Sequence, residues 1–349
     1  MDRNTSLVTP LSISNDVTEI LMFICYVMLS PVISIAGIAG NVINIVVFTK
    51  QGVTESINVT FLTLAITDTA GLVCSIWYGI GVSPLLSSRT GLSFNSKEVA
   101  YVTGAYPRTL FTKMTCWITV YVSLERCYCI VAPLHVKNVI TTRRTILILV
   151  GLYALGIFTS FPLIYTRSLF LEWKKDLLRN TTVLGMAVSD YYSEVTNVVT
   201  ILVAVLFFLF FTIIVLTTIV LTVALHEKSK WRNSSTNCIT GRSQNLAKRD
   251  TNLIKTIVLL SLGLIVSYLP YMNNCLLVAF LTGFELGGKY SNLFRVMWAI
   301  SWLFEILNST RSIFVYYTMS SKYRETFWQM FENKTVTSDK QGKGKNSRE

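Results

Sequence analysis

The chain alternates between seven long apolar runs and shorter polar segments. Each run is near or above the roughly 20 residues that an α-helix needs to cross the hydrocarbon core of a bilayer. The runs cover residues 20–49, 57–82, 103–131, 145–166, 195–225, 252–281 and 293–318. The fifth is the plainest, since 198–225 contains no charged residue, whereas the third carries Arg108 and Lys113. The pattern predicts an all-α membrane protein, a bundle of seven transmembrane helices.

Composition and charge agree with this prediction. The chain is 52% hydrophobic and only 14% charged, where a soluble domain carries about 25% charged residues. The net charge of +12 does not indicate nucleic-acid binding, because Lys and Arg lie between the apolar runs instead of on one basic face. They concentrate at 143–144, in 226–249 and in the tail after Lys322. The positive-inside rule therefore predicts a multi-pass plasma-membrane protein with its N-terminus outside and its C-terminus in the cytosol.

The segments that flank the spans differ from them in composition. The sequence predicts an extracellular segment at 1–19, the seven-helix domain at 20–318, an amphipathic helix against the lipid bilayer at 319–332, and a disordered cytosolic tail at 333–349. Asn4 and Asn180 begin glycosylation sequons that fall on the outer side. We expect both asparagines to be glycosylated.

Polar residues within the spans are costly, and here they form short motifs. The motifs are Gly40-Asn41, Asp68 with the preceding 64–67, Glu125-Arg126-Cys127 followed by Pro133, Tyr268-Leu269-Pro270, Asn308-Ser309 and Tyr316-Tyr317. In order and spacing they resemble the rhodopsin-like G-protein-coupled receptors over essentially the whole helical region. With Pro107-Arg108 and 117–119 they are also similar to the expanded chemosensory receptors of molluscs. The resemblance implies an extracellular ligand, a heterotrimeric G protein, and arrestin and a receptor kinase as further partners.

The resemblance also implies a switch at the cytosolic side. Glu125 and Arg126 stand where the family keeps an acidic–Arg pair that holds the resting state and frees the arginine for the G protein. Pro133 belongs to the same coupling region, Tyr316 is the tyrosine that swings toward the arginine, and Pro270 provides a hinge. The alternative is a helix-end ion pair without a switching role.

A polar cluster in the middle of the bundle is the second implied site. Asp68, Asn308 and Ser309 resemble its members, and Thr115 would complete a sodium-binding pocket, since oxygen ligands around one carboxylate suit a hard cation. The alternative is that Asp68 is hydrogen-bonded to Asn41 and Asn308 as buried polar glue. Apart from this allosteric sodium ion, the sequence indicates no cofactor.

Several positions depart from the family pattern. Ser312-Ile313 replaces Asn-Pro, Tyr268 replaces a tryptophan, and Leu152 lies near the place of another. Tyr101 stands where the family has a cysteine that is bonded to the second extracellular loop, and residues 166–192 contain no cysteine. We therefore predict that this chain lacks the extracellular disulfide.

A ligand pocket is expected near the outer side. Arg108 lies eighteen residues, or about five helical turns, before Arg126, at the depth where this family binds small ligands. A guanidinium there favours a carboxylate, a phosphate or a peptide terminus. In the alternative, Arg108 pairs internally with Glu305 or extends to the outer surface. The expected pocket is lined by Arg108, Tyr268, Tyr271, Asn274, Trp298, Trp302 and Glu305. Trp298 is equally compatible with an aromatic belt at the membrane interface.

Lys113 is the second cation of the third span. If its side chain faces inward, we expect it to pair with Glu194 or Glu305, and the sequence does not choose between them.

Other classes of protein fit less well. An enzyme lacks support because the two histidines, His135 and His226, both lie at cytosolic edges and no metal or nucleophile signature is present. A transporter would show internal repeats and broken helices, which Pro270 alone does not provide. A peptide-hormone receptor and a receptor-like protein that no longer signals remain open alternatives.

Overall fold

The computed structural model describes residues 13–89, 91–132, 136–167, 171–176, 181–186, 192–234 and 241–330. Seven long helices account for most of these residues, because a helix pairs its own backbone polar groups where a bilayer supplies no water. They are α1 (Asn15–Gln51), α2 (Ser56–Val82), α3 (Tyr106–Val131), α4 (Thr142–Arg167), α5 (Tyr192–Ser234), α6 (Gly241–Phe280) and α7 (Ser291–Thr310). Each predicted span coincides with one of them, which confirms the all-α helical bundle.

Several helices are longer than the runs that predicted them. The third begins earlier, at Ser96–Ala100, and reaches α3 through a π-helical segment, Tyr101–Ala105. After Arg311, the residue that follows α7, the chain continues helically as Ser312–Met319. Residues 321–330 form a further helix, α8, at the place of the predicted amphipathic helix. Residues 331–349, which include the predicted tail, lie outside the described residues.

Among the described residues, five helices (α1, α2, α4, α5 and α6) are long and apolar enough to cross a membrane. The other two, α3 and α7, carry charges, and three of these charges are buried in the interior of the bundle. Arg108 is 3% exposed, Glu125 4% and Glu305 7%. Accordingly, α3 contacts α2, α4, α5 and α6, while α7 packs against α1, α2 and α6. The helices with the poorest apolar pattern are thus largely enclosed by the others.

A two-stranded antiparallel hairpin, β1 (Leu171–Asp176) and β2 (Thr181–Met186), follows α4. It is fastened to the segment that leads into the third helix by backbone hydrogen bonds in both directions. The N–H of Asn95 donates to the carbonyl of Leu184 at 2.8 Å, and the N–H of Leu184 donates to the carbonyl of Ser93 at 2.8 Å. Val183 is buried at 2% exposure. The hairpin therefore packs onto the bundle.

Glu98 reinforces this attachment from the first turn of the third helix. One carboxylate oxygen, Oε2, accepts from the N–H of Met186 at 2.7 Å and from Lys174 Nζ at 2.6 Å. Tyr101, at the position of the family cysteine, instead packs its ring edge-on against Tyr106 at 5.1 Å. Glu98 therefore joins the same two segments that a disulfide joins in the rhodopsin-like receptors, through non-covalent contacts.

We predict that Glu98→Ala loosens the hairpin while leaving the seven helices intact. Losing a hydrogen bond from a charged acceptor removes about 1.5–3 kcal/mol, so hydrogen exchange at the amides of Leu184 and Met186 should accelerate by roughly tenfold or more. Lys174→Ala is the control, since it removes only a part-exposed ion pair worth about 0–1 kcal/mol. Unchanged exchange in Glu98→Ala would show that the backbone contacts alone hold the hairpin.

Candidate functional site

Polar groups gather at three levels of the bundle. The end that carries the hairpin is called the hairpin end and holds Arg108 and Glu305. The middle holds Asp68. The opposite end, where α3 finishes with Glu125 and Arg126, is called the Glu125 end.

Arg108 makes contacts with all three of its guanidinium nitrogens. Nη1 bonds to Glu305 Oε2 at 2.9 Å, Nε donates to Ser75 Oγ at 2.8 Å, and Nη2 donates to the carbonyl of Trp302 at 3.2 Å. The guanidinium also lies 3.6 Å from the centre of the Trp302 ring. Arg108 is thus paired internally with Glu305, as the alternative interpretation held, and joins α3 to α2 and α7.

The remaining residues of the expected pocket surround this ion pair on α6 and α7. Tyr268 is 1% exposed and donates its hydroxyl to the carbonyl of Thr112 at 2.8 Å. Tyr271 packs edge-on against Trp298, with ring centres 5.4 Å apart. Asn274 is fully buried and donates to Ser301 Oγ at 2.8 Å. In the described part of the chain, Asn274 Oδ1 and Trp298 Nε1 are buried without a hydrogen-bond partner. An indole nitrogen buried in this way does not fit an outward-facing membrane belt.

Asp68 is held by hydroxyl groups from two other helices. Its Oδ1 accepts from Thr115 at 2.7 Å and from Ser309 at 2.8 Å. Asn41 does not reach the carboxylate, because its amide donates to the carbonyls of Gly37 and Ser309 at 3.0 and 2.8 Å. In the alternative interpretation Asp68 is hydrogen-bonded to Asn41 and Asn308; those partners are wrong, and the hydroxyls of Thr115 and Ser309 take their place.

Asn308 faces a different partner, Arg311. The asparagine Oδ1 accepts from Arg311 Nη2 at 2.8 Å and from Nε at 3.2 Å. The same guanidinium donates to the carbonyls of Leu259, at 2.9 Å, and Leu260 on α6. It reaches them because α6 has a glycine, Gly263, where a Cβ would overlap the guanidinium. Arg311 thus clamps α7 to the backbone of α6.

Ser312, which stands in place of the family asparagine, joins polar residues of α1. Its Oγ donates to Asn41 Oδ1 at 3.1 Å and accepts from Asn44 at 3.1 Å. Tyr323 of α8 donates to Asn44 Oδ1 at 2.6 Å. The departure from Asn-Pro therefore leaves a buried hydrogen-bond network that links α1 and α8 to the helical segment after α7.

A small polar cavity separates the middle level from the hairpin end. It is lined on one side by Asp68, Thr115 and Ser309, and on the other by Arg108 and Glu305. Its volume is about 10 Å³, close to the minimum that holds one water molecule. The two charged sites are thus next to each other, divided by space for about one small polar species.

At the Glu125 end, the acidic residue binds groups from two helices. Glu125 Oε1 accepts from Arg126 Nη2 at 2.8 Å and from Ser56 Oγ at 2.5 Å. Ser56 is in turn 2.9 Å from Thr145 Oγ1, which also contacts the hydroxyl of Tyr121 at 2.9 Å. Among the described residues, Glu125 Oε2 and Arg126 Nε are buried without a partner. The predicted acidic–Arg pair is formed, and only part of its hydrogen-bonding capacity is used.

Tyr316 lies in the same region. It is 1% exposed and packs against Phe48 and Phe61, with ring centres 5.0 and 4.9 Å apart. Its core cluster also contains Val122 and Cys127 of α3. In the described part of the chain its hydroxyl has no hydrogen-bond partner. Tyr316 is therefore an unsatisfied polar group beside the end of α3.

Of the two partners expected for Lys113, Glu305 is wrong, because Arg108 engages it. The Nζ of Lys113 instead donates to Ser160 Oγ at 2.8 Å and contacts Thr159 Oγ1 at 3.4 Å on α4. The side chain of Glu194 lies outside the described residues, as do Pro133, Asn4 and Asn180.

Sequence reasoning missed four contributors to these sites: Ser75, Ser56, Gly263 and Arg311. Serines within a span are common, because they can bond to their own helix, so Ser56 and Ser75 gave no signal. Arg311 did give one, since a charge in the middle of an apolar run requires a partner. The sequence could not identify the α6 carbonyls as its partners, because every residue has a backbone carbonyl and no residue type distinguishes these two.

In the described part of the chain, seven long helices with a buried charged pair near one end and an acidic–Arg pair at the other define a seven-helix membrane bundle. The chain belongs to the serpentine-type seven-transmembrane G-protein-coupled chemoreceptors of the Srw family, whose model matches residues 28–334. A probable G-protein coupled receptor of Caenorhabditis elegans is 25% identical over 320 residues, which cover 88% of this chain and 69% of the relative. These findings confirm the receptor class. Neither description names rhodopsin-like or molluscan receptors, so those narrower resemblances stay predictions.

We predict that Glu305→Leu strongly destabilises the purified receptor. It leaves the Arg108 guanidinium buried without its carboxylate, and breaking a buried pair in this way costs about 3–5 kcal/mol. The double variant Arg108→Met/Glu305→Leu should recover most of the loss, because apolar side chains of similar volume replace such pairs at little cost. Thermal unfolding measures both, and equal melting temperatures for wild type and the single variant would contradict the prediction.

We predict that Gly263→Ala displaces Arg311 from the α6 carbonyls. The added methyl group occupies the space of the guanidinium, and overpacking of this kind costs about 1–3 kcal/mol. In an Arg311→Met background the same substitution should cost little, because the clash is gone. Gly151→Ala on α4 is the matched control, since nothing lies within 4 Å of its Cβ position. Equal losses in both backgrounds would exclude the proposed clash.

Proposed function

We propose that this receptor binds an extracellular ligand at the hairpin end and activates a cytosolic heterotrimeric G protein at the Glu125 end. The observation that carries the proposal is the set of unsatisfied groups there: Glu125 Oε2, Arg126 Nε and the Tyr316 hydroxyl. A buried polar group without a partner costs about 1–3 kcal/mol. Such an arrangement is a resting state that a rearrangement of α6 and α7, or an arriving protein segment, can satisfy.

The orientation rests on charge. Lys and Arg are dense in the segments that adjoin the Glu125 end, including 143–144 and 226–249. By the positive-inside rule, that end belongs in the cytosol and the hairpin outside the plasma membrane. The position of Pro133, arrestin and receptor-kinase binding, and glycosylation at Asn4 and Asn180 remain predictions from the sequence.

The proposed ligand pocket lies between α3, α6 and α7 at the hairpin end. Asn274 Oδ1 and Trp298 Nε1 supply an unused acceptor and an unused donor beside the aromatic rings of Tyr268 and Tyr271. Aromatic walls with a few unpaired polar groups are typical of small-molecule pockets. The ion pair of Arg108 and Glu305, with Trp302, forms the adjoining wall. The chemoreceptor family description and the molluscan resemblance both favour an environmental chemical as the ligand.

The sodium proposal fits this chain only in part. Asp68, Thr115 and Ser309 bring three oxygen-bearing side chains together. Asn308, the fourth predicted ligand, accepts from Arg311 instead, and the charge of that guanidinium also acts on Asp68. We therefore propose that Arg311 supplies, as a tethered cation, much of the positive charge that a sodium ion would bring to this carboxylate.

A receptor-like protein that no longer signals is the second candidate. The clamp of Arg311 on the α6 carbonyls favours it, because an outward movement of α6 would have to break these hydrogen bonds. Ser312-Ile313 in place of Asn-Pro removes a proline from the same region.

We predict that Arg126→Ala abolishes G-protein activation while surface expression and ligand binding persist, because the arginine acts only at the cytosolic end. The assay is G-protein activation in cells that express the full chain, challenged with amino acids, organic acids, amines and short peptides. Lys50→Ala, an exposed cation at the same end, serves as the control and should respond as wild type.

A response that survives in Arg126→Ala would contradict the proposed coupling role. Silence of the wild type toward every ligand class, with good surface expression, would favour the non-signalling alternative. In that case Arg311→Met, which releases the clamp, should restore activation if the clamp is what blocks the movement of α6.

A further inference from the structure

Arg108 and Lys113, the cations in the first half of α3, are balanced in different ways. Arg108 faces α2 and α7 and binds a carboxylate, that of Glu305, at 2.9 Å. Lys113 is five residues further on, or about 140° around the helix, and faces α4 and α5. In the described part of the chain, its Nζ contacts the hydroxyl groups of Ser160 at 2.8 Å and Thr159 at 3.4 Å. Among the described residues no acidic side chain forms an ion pair with it.

The acids that the structure describes near Lys113 are committed elsewhere. Glu305 is held by Arg108, and Asp68 by Thr115 and Ser309. The side chain of Glu194 lies outside the described residues.

Lys113 lies in a crevice between α3, α4 and α5 that is closed to a water-sized sphere, so a ligand must part the surrounding side chains to enter. Thr159 and Ser160 are buried at 3% and 9% exposure. The apolar lining consists of Trp117, Val203, Leu206 and Phe207. The Trp117 ring centre lies 6.0 Å from Lys113 Nζ. Phe207 extends this lining toward the proposed ligand pocket, because its ring centre is 4.6 Å from that of Tyr271.

The chemistry of these groups fits one anion. A cation within a membrane span is costly and marks a functional site whose partner is an anion. A single ammonium balances one negative charge, so it suits a monovalent carboxylate, whereas a phosphate group carries about −1.5 to −2 at pH 7 and would be left with excess charge. The apolar lining suits a ligand whose remaining atoms are hydrocarbon or aromatic.

We propose that Lys113, with the hydroxyls of Ser160 and Thr159, binds the carboxylate of an apolar monocarboxylic acid. The inference rests on the proposed ligand-binding function and deepens it, since it moves acid recognition from Arg108 to Lys113. The acid could arrive from the bilayer, as a fatty acid, or from solution, as a short aromatic acid. Both share the same charged group and differ in their apolar body.

The test measures the melting temperature of the purified full chain in lipid nanodiscs. The probes are dodecanoate and 3-phenylpropanoate, each compared with its methyl ester, which has the same body without the charge. At least one acid should raise the melting temperature by about 3 °C at saturation, and its ester should not. Lys113→Met should abolish the shift and Lys113→Arg should retain it. Lys289→Met removes an exposed cation and should retain it as well.

The ligand-free variants separate a binding role from a structural one. Without ligand, Lys113→Met should melt at or above the wild-type temperature, because an ammonium without a counterion is removed. A clear loss of stability would overturn the proposal and make Lys113 a structural donor to Ser160 and Thr159. A shift with ester equal to that with acid, a shift that persists in Lys113→Met, or no shift with either acid would also overturn it.

The same preparation distinguishes this proposal from the proposed function. Nucleotide exchange on added G protein is measured with the acid that shifts the melting temperature. A Lys113-dependent shift without exchange would support the carboxylate site and count against signalling. Exchange driven by another ligand, with no acid-dependent shift, would support signalling and overturn the carboxylate site. A shift only with dodecanoate would identify the bilayer as the source, and a shift only with 3-phenylpropanoate would identify solution.

Discussion

A charge inside a bilayer must find its partner within the protein, because hydrocarbon offers neither water nor counterions. This constraint explains which helices are enclosed. The two helices with the poorest apolar pattern, α3 and α7, contribute both members of the buried pair Arg108–Glu305. Neither helix could face lipid on that side, so the pair fixes how both are rotated. The remaining helices present large apolar side chains such as Phe158 and Val205 outward, where lipid is the natural solvent.

The same constraint shows how the chain manages without two features of the rhodopsin-like pattern. Where Asn-Pro is missing, Ser312 bonds to α1 and Arg311 bonds to α6, so the seventh helix is still tied to its neighbours. Where the disulfide is missing, Glu98 and backbone hydrogen bonds hold the hairpin. A disulfide and these hydrogen bonds stabilise the hairpin in different ways. A disulfide acts largely by restricting the unfolded chain, whereas hydrogen bonds open and close in the folded protein. The hairpin end of this receptor should therefore open locally at lower cost.

The fold could be predicted from the sequence because one property, apolar length, decides it almost alone. Every predicted span lies on a helix, and Glu125 pairs with Arg126 as the resemblance implied. The groups that the buried cations bind were harder to predict. Arg108, Lys113 and Arg311 are all cations in spans, yet only Arg108 binds a carboxylate in the described structure, while Lys113 meets two hydroxyls and Arg311 meets two carbonyls and the amide oxygen of Asn308. Spacing gives the face on which a side chain leaves its helix. It does not give the rotation of the neighbouring helix, which determines the group it meets.

The charged residues of α3 extend from the hairpin end to the Glu125 end of the bundle. Arg108 is neutralised by Glu305 and Arg126 by Glu125, which leaves Lys113 as the charge of α3 without an acidic partner among the described residues. A bound carboxylate would neutralise it and lower the cost of enclosing α3 between α4 and α5. A ligand can shift a conformational equilibrium only by its difference in affinity for the two states. An anion binds most tightly where Lys113 is most desolvated, so it would favour the state in which α5 closes on α3. Since α5 also contacts α6, that closure gives the ligand a physical route to the helix that carries Pro270 and meets Arg311.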